Sequence, residues 1–257
     1  MRTLLNPENS SGPAVNVPGI RMIRSVMIIP ASVVLLALAS CSPRAPSPYT
    51  GTVPTLSGSS SADPEYFPAR SRSELTPIVP PKMPTLIPGY AQLDPDSGLH
   101  ITGTPVELDL NAWRLAVTGA VQRPLSLDFD DLRTLPRVRS RSTLVCPGYF
   151  EDNAVWEGAS LAALLELAAP LDEAKGVNLV SADGYSTWIS MEEARARHNF
   201  LAYEFAGGRP VPVLHGFPVR AVFPSLSGSK WVKWRVEIQV AYADPPKSPP
   251  AGSVPES

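Results

Sequence analysis

The chain has 257 residues, of which 44% are hydrophobic and 18% charged, and its formal net charge is −2. This composition is that of a globular protein with a sizeable core, and the balanced charge excludes the basic field that gathers nucleic acid. We therefore predict no nucleic-acid partner. The 30 prolines cluster towards the two ends, which indicates that the ends are not part of the fold.

A secretory signal is predicted over residues 1–40. From Met22 a basic start leads into an apolar run over residues 26–39, which is interrupted by Pro30 and falls short of the roughly 20 residues that span a bilayer. Residues 38–41, Leu-Ala-Ser-Cys, resemble the lipobox of bacterial lipoproteins. The resemblance implies cleavage before Cys41 and lipidation of its thiol. An ordinary cleaved signal followed by an incidental cysteine is the alternative.

Residues 41–84 are rich in proline and serine and show no sustained periodicity of either 2 or 3.6 residues. Such a segment buries too little apolar area to offset the entropy of ordering, so it is typical of an extended tether. The residues at 244–257 are predicted to be a disordered tail for the same reason. One folded domain remains, over residues 85–243.

Hydrophobic periodicity and capping signals predict short helices dispersed among strands in this domain. The clearest helix begins at an N-cap, Ser160, and stops before Pro170, and Ser190 with Glu193 forms a capping box for another short helix. A third helix is predicted over 127–135. Strands are predicted over 113–121, 137–146, 177–182, 200–205, 219–223 and 231–240. Because the strands alternate rather than run continuously apolar, we expect a mixed α/β (α+β) fold with mixed, mostly antiparallel sheets.

Three arginines, Arg137, Arg139 and Arg141, fall on one face of the predicted strand 137–146 by the two-residue alternation of strands. A solvated face explains such a row and is favoured, and an anion-binding role is the alternative. Two histidines, His100 and His198, have no motif around them and are interpreted as ordinary surface residues.

Cys146 is the sole remaining thiol of the sequence once Cys41 is assigned to lipid, so it has no partner for an internal disulfide. An unpaired thiol in an oxidising compartment is protected if it is buried or bonded to a soft metal. From the residues alone, a buried cysteine acting as a small hydrophobe and a metal ligand both stay open.

Three ordered segments are similar to the sulfite oxidase family. Residues 203–220 end in His-Gly-Phe-Pro-Val-Arg, and residues 229–234 contain Val-Lys-Trp. Upstream, Leu-Val-Cys at 144–146 is followed by Trp-Glu-Gly at 156–158 and the helix after Ser160. The resemblance covers nearly all of the foldable chain, and three segments in the correct order make it specific.

The resemblance implies an oxidoreductase with a molybdenum–molybdopterin cofactor, in which the thiolate of Cys146 binds the metal beside the pterin dithiolene. By matching position, His215, Arg220 and Lys233 would bind the pterin and its phosphate, and Lys230 lies nearby as a further candidate. No haem or iron–sulfur motif is visible in the sequence, so an external electron donor or acceptor, a cytochrome or a membrane subunit, is expected.

The chain departs from the family after the cysteine. Sulfite oxidases carry a basic stretch there, whereas this chain has Pro-Gly-Tyr-Phe-Glu-Asp at 147–152. Glu151 and Asp152 would repel an anionic substrate, so sulfite is not expected to be the substrate. Tyr149 and Asp183 are further candidates for the active site.

We therefore expect an enzyme anchored by lipid at the cell envelope that transfers an oxygen atom and two electrons to or from a small substrate. Arg21 and Arg24 are not adjacent, which departs from the twin-arginine signal of proteins exported with a loaded pterin. The alternative is therefore a cofactor-free, sulfite-oxidase-like lipoprotein with a binding or scaffold role.

Overall fold

A computed structural model of the chain describes residues 63–205 and 207–243. The predicted signal, Cys41, most of the predicted tether and the predicted tail lie outside these residues. None of the helices within them is both long enough and apolar enough to cross a membrane.

Within residues 63–205 and 207–243, eleven strands form two sheets. One sheet has the order β1-β4-β5-β8-β10, with β9 paired to β8, and all its pairs are antiparallel. Its strands are β1 Glu65–Phe67, β4 Arg137–Cys146, β5 Phe150–Ser160, β8 Phe200–Phe205, β9 Arg209–Pro210 and β10 Arg220–Val222.

The second sheet has the order β3-β2-β11-β6-β7, and its pair β2–β11 is parallel while the others are antiparallel. Its strands are β2 Leu115–Gly119, β3 Leu125–Leu127, β6 Gly176–Ser181, β7 Ser186–Ser190 and β11 Arg235–Ala241. The three α-helices are short: α1 Phe129–Thr134, α2 Leu161–Ala168 and α3 Met191–Arg195. The prediction of a mixed fold with mostly antiparallel sheets and short helices is confirmed.

The helix ends follow the predicted capping residues. Ser190 caps α3 by accepting a hydrogen bond from the backbone N–H of Glu193, and the Glu193 side chain accepts from the backbone of Ser190. The Ser160 side chain caps α2 by accepting a hydrogen bond from the backbone N–H of Ala163. Helix α2 ends at Ala168, and its C-cap Ala169 has a left-handed φ of 51° that stops the helix before Pro170.

One continuous hydrophobic core joins the two sheets and the helices. Fully buried aliphatic residues of β2 and β6 share this core with the leucines of α2 and with the apolar residues of β8. Burial of each such side chain stabilises the fold by about 1.5–3 kcal/mol, so the core fixes the two sheets as a frame for the loops between them.

The folded part begins earlier than the predicted boundary at residue 85. Strand β1 pairs with the start of β4, and the Arg72 guanidinium bonds the carboxylates of Asp128 and Asp131 at 2.5 and 2.7 Å. These contacts involve few apolar residues, so the local composition gave no sign of them. Residues 63–84 therefore lie against the domain although the sequence assigned them to the tether.

The last predicted strand also begins later than expected. Residues 228–230 form a 3-10 turn, Trp234 has a left-handed φ of 46°, and β11 starts only at Arg235. The apolar residues Trp231 and Val232 made this segment look like a strand. Its irregular backbone instead turns Trp231, Lys233 and Trp234 towards a common cavity.

Candidate active site

The hairpin of β4 and β5 presents Cys146 at its tip. Cys146 is the last residue of β4, and a tight turn follows in which Gly148 has a φ of 80° and Tyr149 N–H donates to the Cys146 carbonyl at 3.0 Å. The thiol is free and partly exposed. It lines a cavity, so the alternative of a cysteine sealed in the core is wrong.

The cavity in front of Cys146 has a volume of about 420 Å³. Its wall combines aromatic, small and cationic residues from several separate segments. The lining residues are Tyr90, Thr102, Gly103, Leu144, Cys146, Pro147, Phe150, Ser181, Asp183, Tyr185, Arg220, Ser227, Gly228, Ser229, Trp231, Val232, Lys233 and Trp234. A site of this size and mixture is typical of small-molecule and cofactor binding.

Arg220 lies in the wall of this cavity at the start of β10. The central carbon of its guanidinium lies 4.6 Å from the Trp156 ring centre and 5.8 Å from that of Trp231. Its Nη1 donates to the His215 carbonyl at 3.2 Å, while its buried Nε has no hydrogen-bond partner among the described residues. Burial lowers the pKa of Arg220 to about 10. An unpaired buried donor beside a cavity indicates a missing acceptor.

Lys233 is the second buried cation in the wall. Its Nζ donates to the carbonyl of Thr102 and, at 3.4 Å, to that of Leu214. Burial, and then the positive charge of Arg220, lower the pKa of Lys233 to about 7. Among the described residues neither Lys233 nor Arg220 forms an ion pair with a carboxylate. The cavity therefore holds two buried cationic side chains that an anion would stabilise.

The other two residues predicted to bind the pterin lie outside the cavity wall. His215 is buried, and its Nε2 lies 2.9 Å from Asp94 Oδ2 and 2.8 Å from Ser97 Oγ. Burial, together with the nearby charge of Arg220, lowers the pKa of His215 to about 4, so the ring is neutral and donates from Nε2 to the carboxylate. Lys230 Nζ donates to the Trp188 carbonyl at 2.6 Å.

The segment from Tyr90 to Gly103 contributes to the site although no sequence pattern predicted it. The Ala91 N–H donates to the Ile101 carbonyl at 2.7 Å and the Ile101 N–H donates to the Gln92 carbonyl at 2.9 Å, which holds the segment as a hairpin-like loop. Its two ends place Tyr90, Thr102 and Gly103 in the cavity wall. The bond between Asp94 and His215 ties this loop to the His-Gly-Phe-Pro-Val-Arg segment, which explains the burial of His215.

The interpretation of His100 as an ordinary surface residue is wrong. Its ring stacks on Phe150 with centres 4.4 Å apart, and its Nδ1 lies 2.7 Å from Asp152 Oδ1. His198, the other histidine of that interpretation, lies 3.0 Å from Ser225 Oγ through its Nε2. Asp152 is buried and accepts a hydrogen bond from the backbone N–H of His100, in the loop from Tyr90 to Gly103, instead of facing a substrate.

The acidic group at the cavity is Asp183, on the turn after β6. Its carboxylate accepts from the backbone N–H of Tyr185 at 3.0 Å and lines the cavity, whereas Glu151 and Asp152 do not. Tyr149 is 70% exposed and touches the edge of the Tyr90 ring, with centres 6.4 Å apart. The carboxylate at the cavity is therefore that of Asp183, and the prediction that Glu151 and Asp152 face the substrate is wrong.

The arginine row lies on the opposite face of β4 from Cys146. Arg137 and Arg139 both bond the Glu157 carboxylate, at 2.7 and 2.6 Å, and Arg141 donates to Asn153. None of the three arginines lines the Cys146 cavity. The row therefore adds no positive charge to that cavity.

Comparison with known proteins places these observations among related chains. Residues 101–248 match the model of the "Oxidoreductase molybdopterin binding domain" family. The uncharacterized oxidoreductase YuiH of Bacillus subtilis is 34% identical over 55% of this chain and 71% of its own length. The sulfite oxidase of Arabidopsis thaliana is 31% identical over 53% of this chain and 44% of its own length.

A solved structure is similar as well. The sulfane dehydrogenase SoxCD from Paracoccus pantotrophus superposes with a TM-score of 0.51 and 26% identity. The match covers 55% of this chain and 41% of that chain, so this chain spans less than half of both SoxCD and the plant sulfite oxidase.

Proposed function

The chain belongs to the oxidoreductase molybdopterin binding domain family, and we propose that it is an envelope-anchored enzyme that transfers an oxygen atom and two electrons on a small uncharged substrate. The observation that carries the proposal is one cavity that joins a free thiol to two buried cations without carboxylate partners among the described residues. These residues fit a molybdenum–molybdopterin cofactor, whose metal prefers thiolate and whose pterin ends in a phosphate.

Cys146 would bind the metal. It stands at the end of a rigid hairpin, so its sulfur is held in place by the ten-residue pairing of β4 with β5. A metal stabilises the deprotonated form of a coordinating thiol, which also protects the sulfur from oxidation. When bound, the cofactor supplies the redox chemistry, and the protein supplies binding, orientation and electrostatics.

Arg220 and Lys233 would bind the anionic end of the pterin. The two indoles pack against the guanidinium in the absence of ligand, so less side-chain entropy is lost on binding. Lys233 would add a point charge from the adjacent wall. We propose a supporting role for His215, which fixes the loop that contains Thr102, the acceptor of the Lys233 ammonium.

The charge of the cavity argues against sulfite as substrate. Once Arg220 and Lys233 are bound to the cofactor, the charged side chain that still faces the cavity among its described lining residues is Asp183. A carboxylate in a partly desolvated cavity disfavours a second anion. The rest of the rim is aromatic or small, with Tyr90, Phe150 and Tyr185, and suits a neutral molecule with an apolar substituent.

Iron–sulfur clusters are bound by several cysteines, and Cys146 is the sole cysteine of the described residues. We therefore propose that electrons enter or leave through an external partner, a cytochrome or a membrane subunit. The membrane attachment proposed for the enzyme depends on lipidation of Cys41, with residues after it acting as a tether to the domain.

The test of the function is cofactor content in protein purified from its own host. We expect about one molybdenum per chain and pterin fluorescence after oxidation in the wild type, and a lower molybdenum content in Cys146→Ser as purified, with unchanged folding by circular dichroism. Wild-type protein that is fully folded but contains neither molybdenum nor pterin would support the rival function, a cofactor-free scaffold lipoprotein.

The substrate class is tested separately with the loaded enzyme. We expect turnover of a neutral sulfoxide or amine oxide with a chemical electron donor, and at most weak activity with sulfite. In Asp183→Asn the KM for sulfite should fall because the like charge is removed. Efficient sulfite oxidation by the wild type, with no change in Asp183→Asn, would contradict the proposed substrate class.

A further inference from the structure

Strand β5 has a free edge over its first half. It pairs with β4 along its whole length, but β8 pairs with it only from Trp156 to Ser160. Within residues 63–205 and 207–243, no strand and no loop backbone bonds the other edge between Phe150 and Val155. Alternate residues of an unpaired edge point their peptide N–H and C=O groups outwards, ready to pair with another strand.

A groove of about 660 Å³ runs beside this free edge. Its lining includes Ala154 and Val155 of the edge, Ser97, and Gly207 and Gly208 of the turn after β8. The groove is separate from the Cys146 cavity, and the two share no lining residue. Its volume far exceeds that of a single ion and leaves room for a short peptide segment.

The groove carries arginines that are not neutralised. Arg141 donates to Asn153 Oδ1 at 3.2 Å and Arg209 stands over the Phe205 ring at 5.4 Å, and neither forms an ion pair with a described carboxylate. Arg139, the third arginine of the groove, is already paired with Glu157. The groove is therefore positively charged, and it complements carboxylates.

We propose that this groove binds an extended acidic segment of a partner protein, which adds to the first sheet as a strand beside β5. Backbone bonds to the free edge would supply affinity, and carboxylates at alternate positions would pair with Arg141 and Arg209. Proline and lysine, which often protect such an edge, are absent from residues 150–155, and the two carboxylates of this stretch, Glu151 and Asp152, lie at its start. Glu151 at the hairpin tip would repel the carboxylates of the partner segment, so these carboxylates should lie at the other end of the free edge, near Val155.

The proposal is tested with a defined probe, a fluorescein-labelled heptapeptide of alternating valine and glutamate, titrated into the purified full-length protein. We expect saturable binding by fluorescence anisotropy, and none with the matching valine–lysine peptide. Arg141→Glu and Arg209→Glu should each weaken binding by about tenfold. Arg195→Glu, on the exposed face of α3, is the matched control and should leave it unchanged.

Strand addition is separated from simple charge attraction by two further peptides, each N-methylated at one alternate set of amides. Only the set that faces β5 donates hydrogen bonds to it, so one peptide should lose binding and the other should keep it. Equal binding of both would overturn the proposal, as would unchanged binding in Arg141→Glu and Arg209→Glu. A dimer in sedimentation experiments that Arg141→Glu breaks would assign the edge to a second copy of this chain.

Discussion

Arg220 is held in the cavity wall by contacts that leave part of its guanidinium free. The indoles of Trp156 and Trp231 pack against it, its Nη1 donates to the His215 carbonyl, and its Nε has no partner among the described residues. This arrangement suits a ligand that accepts forked hydrogen bonds, and a lysine would supply the charge without the fork.

We therefore predict that Arg220→Lys loses cofactor although it keeps the charge. The loss of one or two charge-assisted bonds costs about 1.5–3 kcal/mol each, which weakens pterin binding by at least about tenfold. Molybdenum and pterin per chain are measured together with the circular dichroism spectrum. Arg195→Lys is the control. Full occupancy in Arg220→Lys would show that Arg220 does not bind the cofactor through its fork.

The buried His215 makes stability depend on pH. Its pKa is about 4 in the folded chain and near 6.5 in the unfolded chain, so between these values the unfolded state binds more protons. Stability is therefore fully present above about pH 6.5 and falls as the pH drops towards 4, by up to about 3 kcal/mol. Burial raises the pKa of Asp94, but its hydrogen bonds to Ser97 and His215 outweigh burial, so that the pKa is lowered overall. Asp94 therefore extends the loss of stability to lower pH.

Urea unfolding of the wild type and of His215→Gln at a series of pH values measures this dependence. The variant should be less stable at neutral pH, and its stability should change less between about pH 6.5 and 4. Parallel curves for the two proteins would mean that another group carries the dependence.

At the scale of elements, the close approach of β5 and β8 depends on Gly158. A Cβ at this position would fall on the backbone of Leu201 and Ala202, which cannot move without breaking the pairing of the two strands. The two strands also carry the register shift between Glu157 and Gly158. This pairing separates the closed half of β5 from its free half.

Gly158→Ala is therefore expected to destabilise the domain by about 3 kcal/mol or more, at the upper end of the cost of overpacking. Gly184→Ala is the matched control, because its Cβ meets nothing within 4 Å and only its left-handed φ of 86° is strained, at about 1–2 kcal/mol. Thermal unfolding of both variants tests the difference. Equal melting temperatures would contradict the assigned packing of β5 against β8.

The regular elements could be predicted because their signals are local. The bounds of β4 and the caps of α2 and α3 follow from alternation, Ser160 and Ser190. The start of β11 could not, because the left-handed φ at Trp234 is set by tertiary contacts such as its indole bond to the Val213 carbonyl. Strand β1 was missed because its pairing depends on β4, seventy residues later in the chain.

The site was predictable only where motifs carry it. Cys146, Arg220 and Lys233 lie together as the resemblance implied, whereas the loop of Tyr90 and Thr102 reaches the cavity through tertiary contacts that no short pattern encodes. The same loop explains why His215 and Asp152, which the sequence placed beside ligand and substrate, instead bond Asp94 and His100.

At the scale of the whole molecule, the lipid anchor remains a prediction that fractionation tests. In the native host we expect the protein in the membrane fraction, released by detergent, and Cys41→Ser in the soluble or secreted fraction because its acyl chains are absent. Cys146→Ser is the matched control and should stay with the membrane. A Cys41→Ser protein that remains membrane-bound would contradict lipid anchoring.

The central claim is a bond between the Cys146 sulfur and molybdenum. X-ray absorption at the molybdenum edge measures the sulfur atoms bound to the metal in the wild type and in Cys146→Ser reconstituted with cofactor. We predict one sulfur neighbour fewer in the variant, with the dithiolene sulfurs retained. Identical sulfur coordination in the two loaded proteins would show that Cys146 is not the metal ligand.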